Sequence, residues 1–334
     1  MKKAKRIAAL ILSAAAAFSC TACAGGTGQT SVTVSGGKMT TIDVVQLVEH
    51  EALDADYQGF VAGLKDAGYV QGKNLKINFE NAQGEQANCV TIAGRFVTDK
   101  PDLILAIATP AAQACANATK QIPILVTAVT DPASSKLVQS NAEPGGNVSG
   151  TSDLTPVKQQ IDLIRQIVPS AKTIGLLYNS SEANSKFQTE IAKKECGVQN
   201  LQYLEKTVSN TNEIQQVAQS LVGRVQAVYI PTDNMLASGM ATVAQVLNGA
   251  KIPIVTGEAG MVKKGGLATY GINYEKLGRQ TAAMAVKVLK GAKPSELPIE
   301  YQKDMDIAVN QAAARQLGVT LPQSLLSRTS SAAK

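Results

Sequence analysis

The sequence has 334 residues, which predicts two domains, and its hydrophobic share of 45% is enough for a sizeable core built from aliphatic side chains. Its net charge of +6 falls to +2 without residues 1–22, because those carry four basic and no acidic side chains and leave 28 basic against 26 acidic residues. So small a surplus, in a chain without an RNP, zinc-finger or helix-turn-helix pattern, argues against a nucleic-acid partner.

The first 22 residues have the pattern of a secretion signal. The basic stretch MKKAKR precedes the apolar stretch IAALILSAAAAFS, which is shorter than the ~20 residues of a membrane span. The following CTACAGGTGQ places small residues before a cysteine and resembles the lipobox of bacterial lipoproteins. Cys23 is the expected lipidation site and Cys20 the alternative, while plain secretion with cleavage near Ala22 is the other interpretation. Lipidation would hold the protein at the outer face of the cell membrane without a spanning helix.

Residues 23–40 have the composition of a flexible linker, and from residue 41 onwards short apolar runs alternate with helix-period segments. Most of the runs lack clean alternation of apolar and polar residues, as is typical of strands covered on both faces. This alternation of strands and helices predicts an α/β fold of doubly wound parallel sheets. The predicted strands are 41–48, 75–82, 102–109, 122–129, 173–179, 201–208, 226–232, 252–258 and 266–272.

A repeat divides the chain into two similar lobes. QIPILVTAVTDP (121–132) and KIPIVTGEA (251–259) share one pattern, and two further landmarks recur in the same order at a near-constant offset. The turn-rich segment 143–153 is expected to cross between the lobes, before a helix over 274–291 and a last strand over 298–310. Several crossings would make a hinge. The predicted parts are a signal peptide (1–22), a linker (23–40), an N-terminal lobe (41–152 plus 274–297), a C-terminal lobe (153–273 plus 298–327) and a tail (328–334).

Ligands of open α/β sheets bind beyond the carboxyl ends of the strands, so two facing sheets would form the walls of one cleft. In the first lobe, the helix start after the third strand has a threonine, a proline and two alanines, a pattern that suits a ligand carboxylate. An ordinary capped helix, a structural histidine and a turn-capping aspartate are the alternatives here. The candidate contacts are Gln46, Glu49, His50, Thr109, Pro110, Ala111, Ala112, Thr130, Asp131 and, in the crossover, Ser152.

The strand ends of the second lobe are acidic and rich in amides. Each of these side chains could instead cap a helix or form a turn. Together, opposite a wall of helix N-termini, they would suit a zwitterion with its carboxylate on one wall and its ammonium on the other. The candidate contacts in this lobe are Asn179, Asp233, Asn234, Glu258 and Tyr270.

The sequence carries no common motif of a catalytic or cofactor site. GxGxxG after a strand, GxxxxGK[ST] and GxSxG do not occur. The single histidine cannot supply a histidine-rich metal site, and the spacing of Cys89, Cys115 and Cys196 is typical of packing residues. We therefore expect a binding protein without metal or cofactor, and not an enzyme.

Several segments resemble one known family. VVQLVEHEALD, GLKDAGYVQGKNL, DLILAIATPAAQA, PGGNVSGTSD and TIGLLYNSSEANS are similar to segments of bacterial ABC-transporter substrate-binding proteins of the tryptophan/tyrosine-type group. The resemblance runs from about residue 41 to 327 and implies a periplasmic-binding-protein type I-like fold, whose two lobes close on a ligand and present it to a membrane permease. It also implies an aromatic or other hydrophobic amino acid as ligand. The chain departs from the usual pattern at Glu51, where a proline often follows the histidine.

The sequence thus predicts an extracytoplasmic, lipid-anchored and monomeric solute receptor that captures a small molecule for an ABC importer. The family resemblance implies that this molecule is an amino acid. One alternative is a sensor whose closed lobes instruct a receptor kinase. Another is a secreted hydrolase on a similar α/β scaffold. The residues alone do not identify the ligand.

Overall fold

The computed structural model describes residues 39–327 and residue 329, which hold two six-stranded sheets. The strands of the first sheet are β1 (Thr40–Gln46), β2 (Leu75–Asn81), β3 (Leu103–Ile107), β4 (Ile124–Val129), β5 (Val148–Ser152) and, much later in the chain, β11 (Glu300–Tyr301). Those of the second sheet are β6 (Thr173–Asn179), β7 (Gln202–Val208), β8 (Ala227–Ile230), β9 (Ile254–Thr256), β10 (Ala268–Gly271) and β12 (Asp306–Val309). We refer to the first sheet with its helices as the N-terminal lobe and to the second as the C-terminal lobe.

The two sheets have matching strand orders, β11-β5-β4-β3-β1-β2 and β12-β10-β9-β8-β6-β7. The repeated Ile-Pro-Ile segments lead into β4 and β9, which hold the same position in their sheets. The carbonyl groups of Pro123 and Pro253 even accept equivalent hydrogen bonds, from the amides of Ile104 and Val228 at 2.9 Å each. All pairings are parallel except that of β12 with β10. The predicted fold class of two similar α/β lobes is confirmed.

Helices cover both faces of each sheet. Those of the N-terminal lobe are α1 (Glu51–Asp66), α2 (Gln86–Asp99), α3 (Thr109–Ala118) and α10 (Tyr274–Leu289). Those of the C-terminal lobe are α4 (Val157–Ile167), α5 (Ala183–Val198), α6 (Ile214–Gln219), α7 (Asn234–Ser238), α8 (Met240–Gly249), α9 (Ala259–Lys263), α11 (Gln311–Leu317) and α12 (Gln323–Leu326). In the described part of the chain, none of these helices is long and apolar enough to cross a membrane.

Aliphatic strands form the core, as the scarcity of aromatic residues requires. Every residue of β3, β4 and β8 is buried, because helices cover both faces of these parallel strands. Helices α1 and α10 pack closely, with Gly278 against the backbone of α1. A Cβ atom on Gly278 would lie 1.9 Å from the carbonyl oxygen of Asp56, so only glycine permits this approach.

Strand β5 corrects the prediction that 143–153 is only a turn-rich crossover. Its sequence VSGTS lacks the bulky residues of a typical strand, yet all five residues are buried between β4 and β11. Gly150 has a φ of +144°, and a Cβ atom there would lie 2.0 Å from the carbonyl oxygen of Val126. The small residues that predicted a turn are therefore what allows this strand to pack inside the sheet.

The prediction of one strand over 298–310 is wrong, because this segment forms two strands that belong to different sheets. Strand β11 pairs with β5 in the N-terminal lobe, and β12 pairs with β10 in the C-terminal lobe. The sheet topology thus puts residues 300–301 in the N-terminal lobe, whereas the prediction began the C-terminal lobe at residue 298. A continuous strand-like pattern cannot show that the chain changes sheets within it.

The chain crosses between the lobes after β5, after β10 and after β11. Two crossings are joined directly, since the Gln302 side chain accepts a hydrogen bond from the amide of Asn273 (3.0 Å) and donates one to its carbonyl (2.5 Å). Asp153 in the first crossing accepts a hydrogen bond from the Tyr274 hydroxyl at the start of α10 (2.8 Å). These bonds place the three crossings side by side, as a hinge requires.

Candidate ligand-binding site

A small cavity lies between the lobes, at the carboxyl ends of the strands. Its walls come from the starts of α1 and α10, from β4 and the first crossing, and from the starts of α5, α7 and α9. The lining residues are His50, Leu53, Ala128, Asp153, Asn184, Thr232, Asp233, Asn234, Ala237, Glu258, Met261 and Tyr274. Both lobes are needed to form it, as the predicted cleft between two sheets requires.

Hydrogen bonds and an ion pair join the lobes around this cavity. His50 Nε2 lies 3.2 Å from Asn234 Oδ1, and the Gln188 side chain donates to Thr130 Oγ1 at 3.2 Å. At the rim, the Ser238 hydroxyl donates to the carbonyl of Glu49 (3.2 Å), and Lys263 forms an ion pair with Glu51. The lobes are therefore closed on each other in this structure.

Three buried acceptor atoms on residues of the cavity wall have no hydrogen-bond partner among the described residues. They are His50 Nδ1, Asp153 Oδ1 and Asn184 Oδ1. The other polar atom of each side chain does have a partner. His50 Nε2 lies beside Asn234, and Asp153 Oδ2 accepts from the Tyr274 hydroxyl. Asn184 Nδ2 donates to Glu182 and to the Thr232 carbonyl. Because buried polar groups are costly to leave unpaired, the three unpartnered atoms are candidate acceptors for a ligand's hydrogen bonds.

Buried acidic groups dominate the electrostatics of the cavity. Burial raises the pKa of Asp153 to about 6, and burial also raises the pKa values of Asp233 and Glu258 to about 7 each. Burial lowers the pKa of His50 to about 4, so this imidazole is neutral at pH 7. Among the residues that the structure describes, no lysine or arginine lines the cavity. Such a wall attracts a cationic group of a ligand.

The N-terminus of α1 supplies the opposite polarity at the same cavity. His50 is the N-cap residue, but its side chain makes no capping hydrogen bond. The amide of Asp54 makes the first bond of the helix, to the carbonyl of His50 at 3.0 Å, and three amides precede it. Free amides and the positive end of a 16-residue helix favour an anionic group, such as a carboxylate.

Four predicted contacts line the cavity: His50, Asp233, Asn234 and Glu258. Two of them act as helix caps, which was the alternative interpretation. Asp233 accepts hydrogen bonds from the amides of Leu236 (2.9 Å) and Asn179 (2.5 Å). Glu258 accepts from the amides of Met261 (2.7 Å) and Gly260. Their carboxylate oxygens are therefore already engaged.

Other predicted contacts have local partners and lie outside the cavity lining. Asp131 accepts hydrogen bonds from the Ser134 amide (2.6 Å) and the Asn141 side chain (2.8 Å), so it caps a turn. The hydroxyl of Ser152 donates to the carbonyl of Thr130 at 2.6 Å. Gln46, Glu49, Thr130, Asn179 and Tyr270 likewise are not among the residues that line the cavity.

The start of α3 is buried away from the cavity. Thr109 already belongs to the helix, and Ala108 is the N-cap residue. Helix α3 contacts α5 of the other lobe, and its first turn is fully buried. The residues Thr109, Pro110, Ala111 and Ala112 are thus buried and are not among the residues that line the cavity.

Sequence reasoning missed half of the polar lining. Asp153 directly follows Ser152, but it comes after a strand that the composition concealed. Asn184 lies five residues after the predicted contact Asn179, and Thr232 directly precedes the predicted contact Asp233. Tyr274 comes four residues after the predicted contact Tyr270 and is not among the predicted contacts. A predicted strand over 148–152 would have identified Asp153 as an acidic residue at a strand end.

Comparisons with known proteins agree on one family. A sequence model described as ABC transporter substrate binding protein matches residues 41–333. A tyrosine-binding protein of Clostridioides difficile is 44% identical over 280 residues, which cover 84% of this chain and 81% of that protein. The crystal structure of an ABC domain in complex with L-Trp from Streptococcus pneumonia is 40% identical, with a TM-score of 0.85, and the match covers 87% of this chain and 99% of that one.

A third comparison bears on the arrangement of the lobes. The ligand-free, open structure of a substrate-binding protein with adhesive properties from Clostridium difficile is 45% identical, and the match covers 87% of this chain and 98% of that one. Its TM-score is only 0.68, although its sequence identity exceeds that of the L-Trp complex. The lobe arrangement described above is therefore closer to that of the ligand-bound structure than to the open one.

Proposed function

Since the chain belongs to the ABC transporter substrate-binding protein family, we propose that its ligand is an amino acid with an aromatic side chain, L-tyrosine or L-tryptophan first. Proteins of this family are extracytoplasmic binding components of transporters and not enzymes. The protein captures a small molecule by closing its two lobes, and an ABC permease is the partner that receives it. The amino-acid ligand is supported by the cavity and by the ligands of the two relatives.

The observation that carries this proposal is the set of three unpartnered acceptors on the cavity wall. A primary ammonium has three N–H donors, and His50 Nδ1, Asp153 Oδ1 and Asn184 Oδ1 offer one acceptor each. Asp153 also provides a negative charge, and the described residues that line the cavity include no lysine or arginine. A charged donor with three hydrogens matches both the number of acceptors and the charge of the wall.

The remaining parts of an amino acid also have matching surroundings. Its carboxylate is attached to the same carbon as the ammonium, and the N-terminus of α1 adjoins His50. Its side chain would contact the apolar part of the lining, which consists of Leu53, Ala128, Ala237, Met261 and the ring of Tyr274. Polar groups that fix orientation beside an apolar surface are typical of small-molecule sites.

Isothermal titration calorimetry on ligand-stripped protein tests the proposal. We expect L-tyrosine or L-tryptophan to bind at one site per chain, and D-enantiomers to bind at least about tenfold more weakly because they cannot satisfy both the acceptors and the helix terminus. Glycine supplies the control for the side chain. If the folded protein binds neither L-tyrosine nor L-tryptophan, the proposed ligand class is wrong.

We also propose that the protein is exported by residues 1–22 and anchored by a lipid on Cys23, with Cys20 as the alternative. These residues lie outside the part that the structure describes, and the support is the order of basic, apolar and small residues before the cysteine. Mass spectrometry of the mature N-terminus should show a diacylated or triacylated cysteine. An unmodified mature terminus would contradict the anchor.

A further inference from the structure

Glu182 is a buried acidic residue beneath the C-terminal wall of the cavity, and it does not itself line the cavity. It precedes α5, only 4% of its surface is exposed, and its two oxygens accept five hydrogen bonds. The donors are Asn179 Nδ2 (3.2 Å), Asn184 Nδ2 (3.0 Å), Asn234 Nδ2 (2.5 Å), the Asn234 amide (3.3 Å) and the Met235 amide (3.2 Å). It thus gathers the side-chain NH2 groups of three asparagines.

This arrangement determines which way two amide groups of the wall point. A carboxylate accepts hydrogen bonds and cannot donate them, so Asn184 and Asn234 must turn their NH2 groups toward Glu182. Their Oδ1 atoms are then presented on the other side of each amide. Asn184 Oδ1 is one of the unpartnered acceptors on the cavity wall, and Asn234 Oδ1 lies 3.2 Å from His50 Nε2.

The orientation of Asn234 in turn fixes the tautomer of His50. Because Asn234 presents an oxygen, His50 Nε2 must carry the proton and donate it to that oxygen. Burial keeps the imidazole neutral by lowering its pKa to about 4, so the ring has only one proton. His50 Nδ1 is therefore a bare acceptor, and it is buried without a partner at the cavity.

We propose that Glu182 is a positioning residue for ligand binding, which makes both Asn184 and His50 present acceptors to the ammonium of the ligand. It acts on Asn184 directly and on His50 through Asn234, across the two closed lobes. The inference rests on the proposed function, because it names the ligand's ammonium as the group received. A residue with a merely structural role would stabilise the turn before α5 but would not select the His50 tautomer.

The tautomer can be measured directly, because His50 is the only histidine in the sequence. Protein labelled with 15N-histidine, produced without a histidine tag, gives signals from one imidazole. In the complex with L-tyrosine or L-tryptophan, whichever binds, we expect Nε2 to be protonated and Nδ1 to be unprotonated. A protonated Nδ1 in that complex would overturn the inference while leaving the proposed function intact.

Glu182→Gln tests the role of the carboxylate. Its amide can donate as well as accept, so Asn234 is free to reverse and the His50 tautomer becomes mixed. We expect the Kd for the same amino acid to rise about tenfold, since a buried acceptor loses its fixed orientation. Glu182→Asp, which keeps an acceptor-only group, should retain the Nε2-protonated tautomer, and Glu190→Gln on the exposed surface of α5 should change neither measurement.

Three further results bear on the positioning role of Glu182. If Glu182→Gln binds and selects the tautomer as the wild type does, Glu182 has no positioning role. If this variant does not fold, Asn234→Ala carries the test, because it removes the oxygen that faces His50 Nε2 and should give the mixed tautomer. Failure of the wild-type protein to bind either amino acid would overturn the proposed function and this inference together.

Discussion

Asp153 differs from the other acids of the cavity in having one oxygen that accepts no hydrogen bond from the residues the structure describes. Asp233 and Glu258 each accept two backbone amide hydrogen bonds, and both residues cap helices. Asp153 uses one oxygen for the Tyr274 hydroxyl, and its other oxygen has no partner among the described residues. A cap must keep its position to hold its helix, so Asp153 is the acid that can pair with a ligand ammonium.

We expect Asp153→Asn to raise the Kd for the bound amino acid at least about tenfold, because the ammonium loses its charged partner. The same change should reduce the pH dependence of binding, and what remains should come from Asp233 and Glu258, whose pKa values are about 7. In the wild type the pKa of Asp153 is raised to about 6, so the carboxylate takes up a proton as the pH falls from 7 to 5. Affinity should then fall about tenfold over that range, and calorimetry at pH 5, 6 and 7 measures it. Equal pH dependence in both proteins would exclude Asp153 as the ammonium partner.

The sequence predicted where the polar residues at the strand ends lie better than it predicted which hydrogen bonds these residues make. His50 and Asn234 were found because strand ends of facing sheets converge, and both do line the cavity. Asp131 was also found in this way, yet its oxygens bind a local turn. Aspartate is equally suited to cap a turn and to bind a cation, so only the three-dimensional contacts separate the two roles.

At the scale of elements, β5 shows why composition can conceal a strand. Its glycine, serine and threonine residues are typical of turns, but small residues are also what a tightly packed strand needs at Gly150. The aliphatic strands β3, β4 and β8 were predicted correctly because burial on both faces requires continuous apolar runs. The strands that sequence analysis missed or misplaced are those in which tertiary packing overrides local propensity.

Gly150→Ala should lower the free energy of unfolding by about 2–4 kcal/mol, through a strained φ and a clash with the Val126 carbonyl. Gly146→Ala is a matched control, since a Cβ atom there meets nothing within 4 Å, and it should change stability by less than about 0.5 kcal/mol. Urea denaturation followed by circular dichroism compares the two variants. Equal stabilities would show that β5 does not pack against β4 as described.

At the scale of the whole molecule, two repeated lobes and three crossings make closure possible. The repeat was visible in the sequence, because duplicated strands keep the order of their landmarks. The change of sheet between β11 and β12 was not visible, because nothing in a local pattern marks it. The crossings are hydrogen-bonded to one another, and polar contacts around the cavity also join the lobes.

The ion pair between Glu51 and Lys263 lies at the rim and joins the lobes only when they are closed. Lys263→Glu would place two carboxylates together, and we expect it to weaken amino-acid binding about two- to fivefold, the size of an exposed charge interaction. The swapped pair, Glu51→Lys with Lys263→Glu, should restore most of the affinity. Calorimetry at low salt measures both proteins, and an unrestored double variant would indicate that this contact does not contribute to closure.

A crystal structure of the protein with L-tyrosine or L-tryptophan, whichever binds, tests the central claim most directly. We expect one amino acid in the cavity between closed lobes, with its ammonium within hydrogen-bonding distance of His50 Nδ1, Asp153 Oδ1 and Asn184 Oδ1. Its carboxylate should face the N-terminus of α1. An amino acid bound outside this cavity, or bound with its carboxylate toward Asp153, would contradict the account.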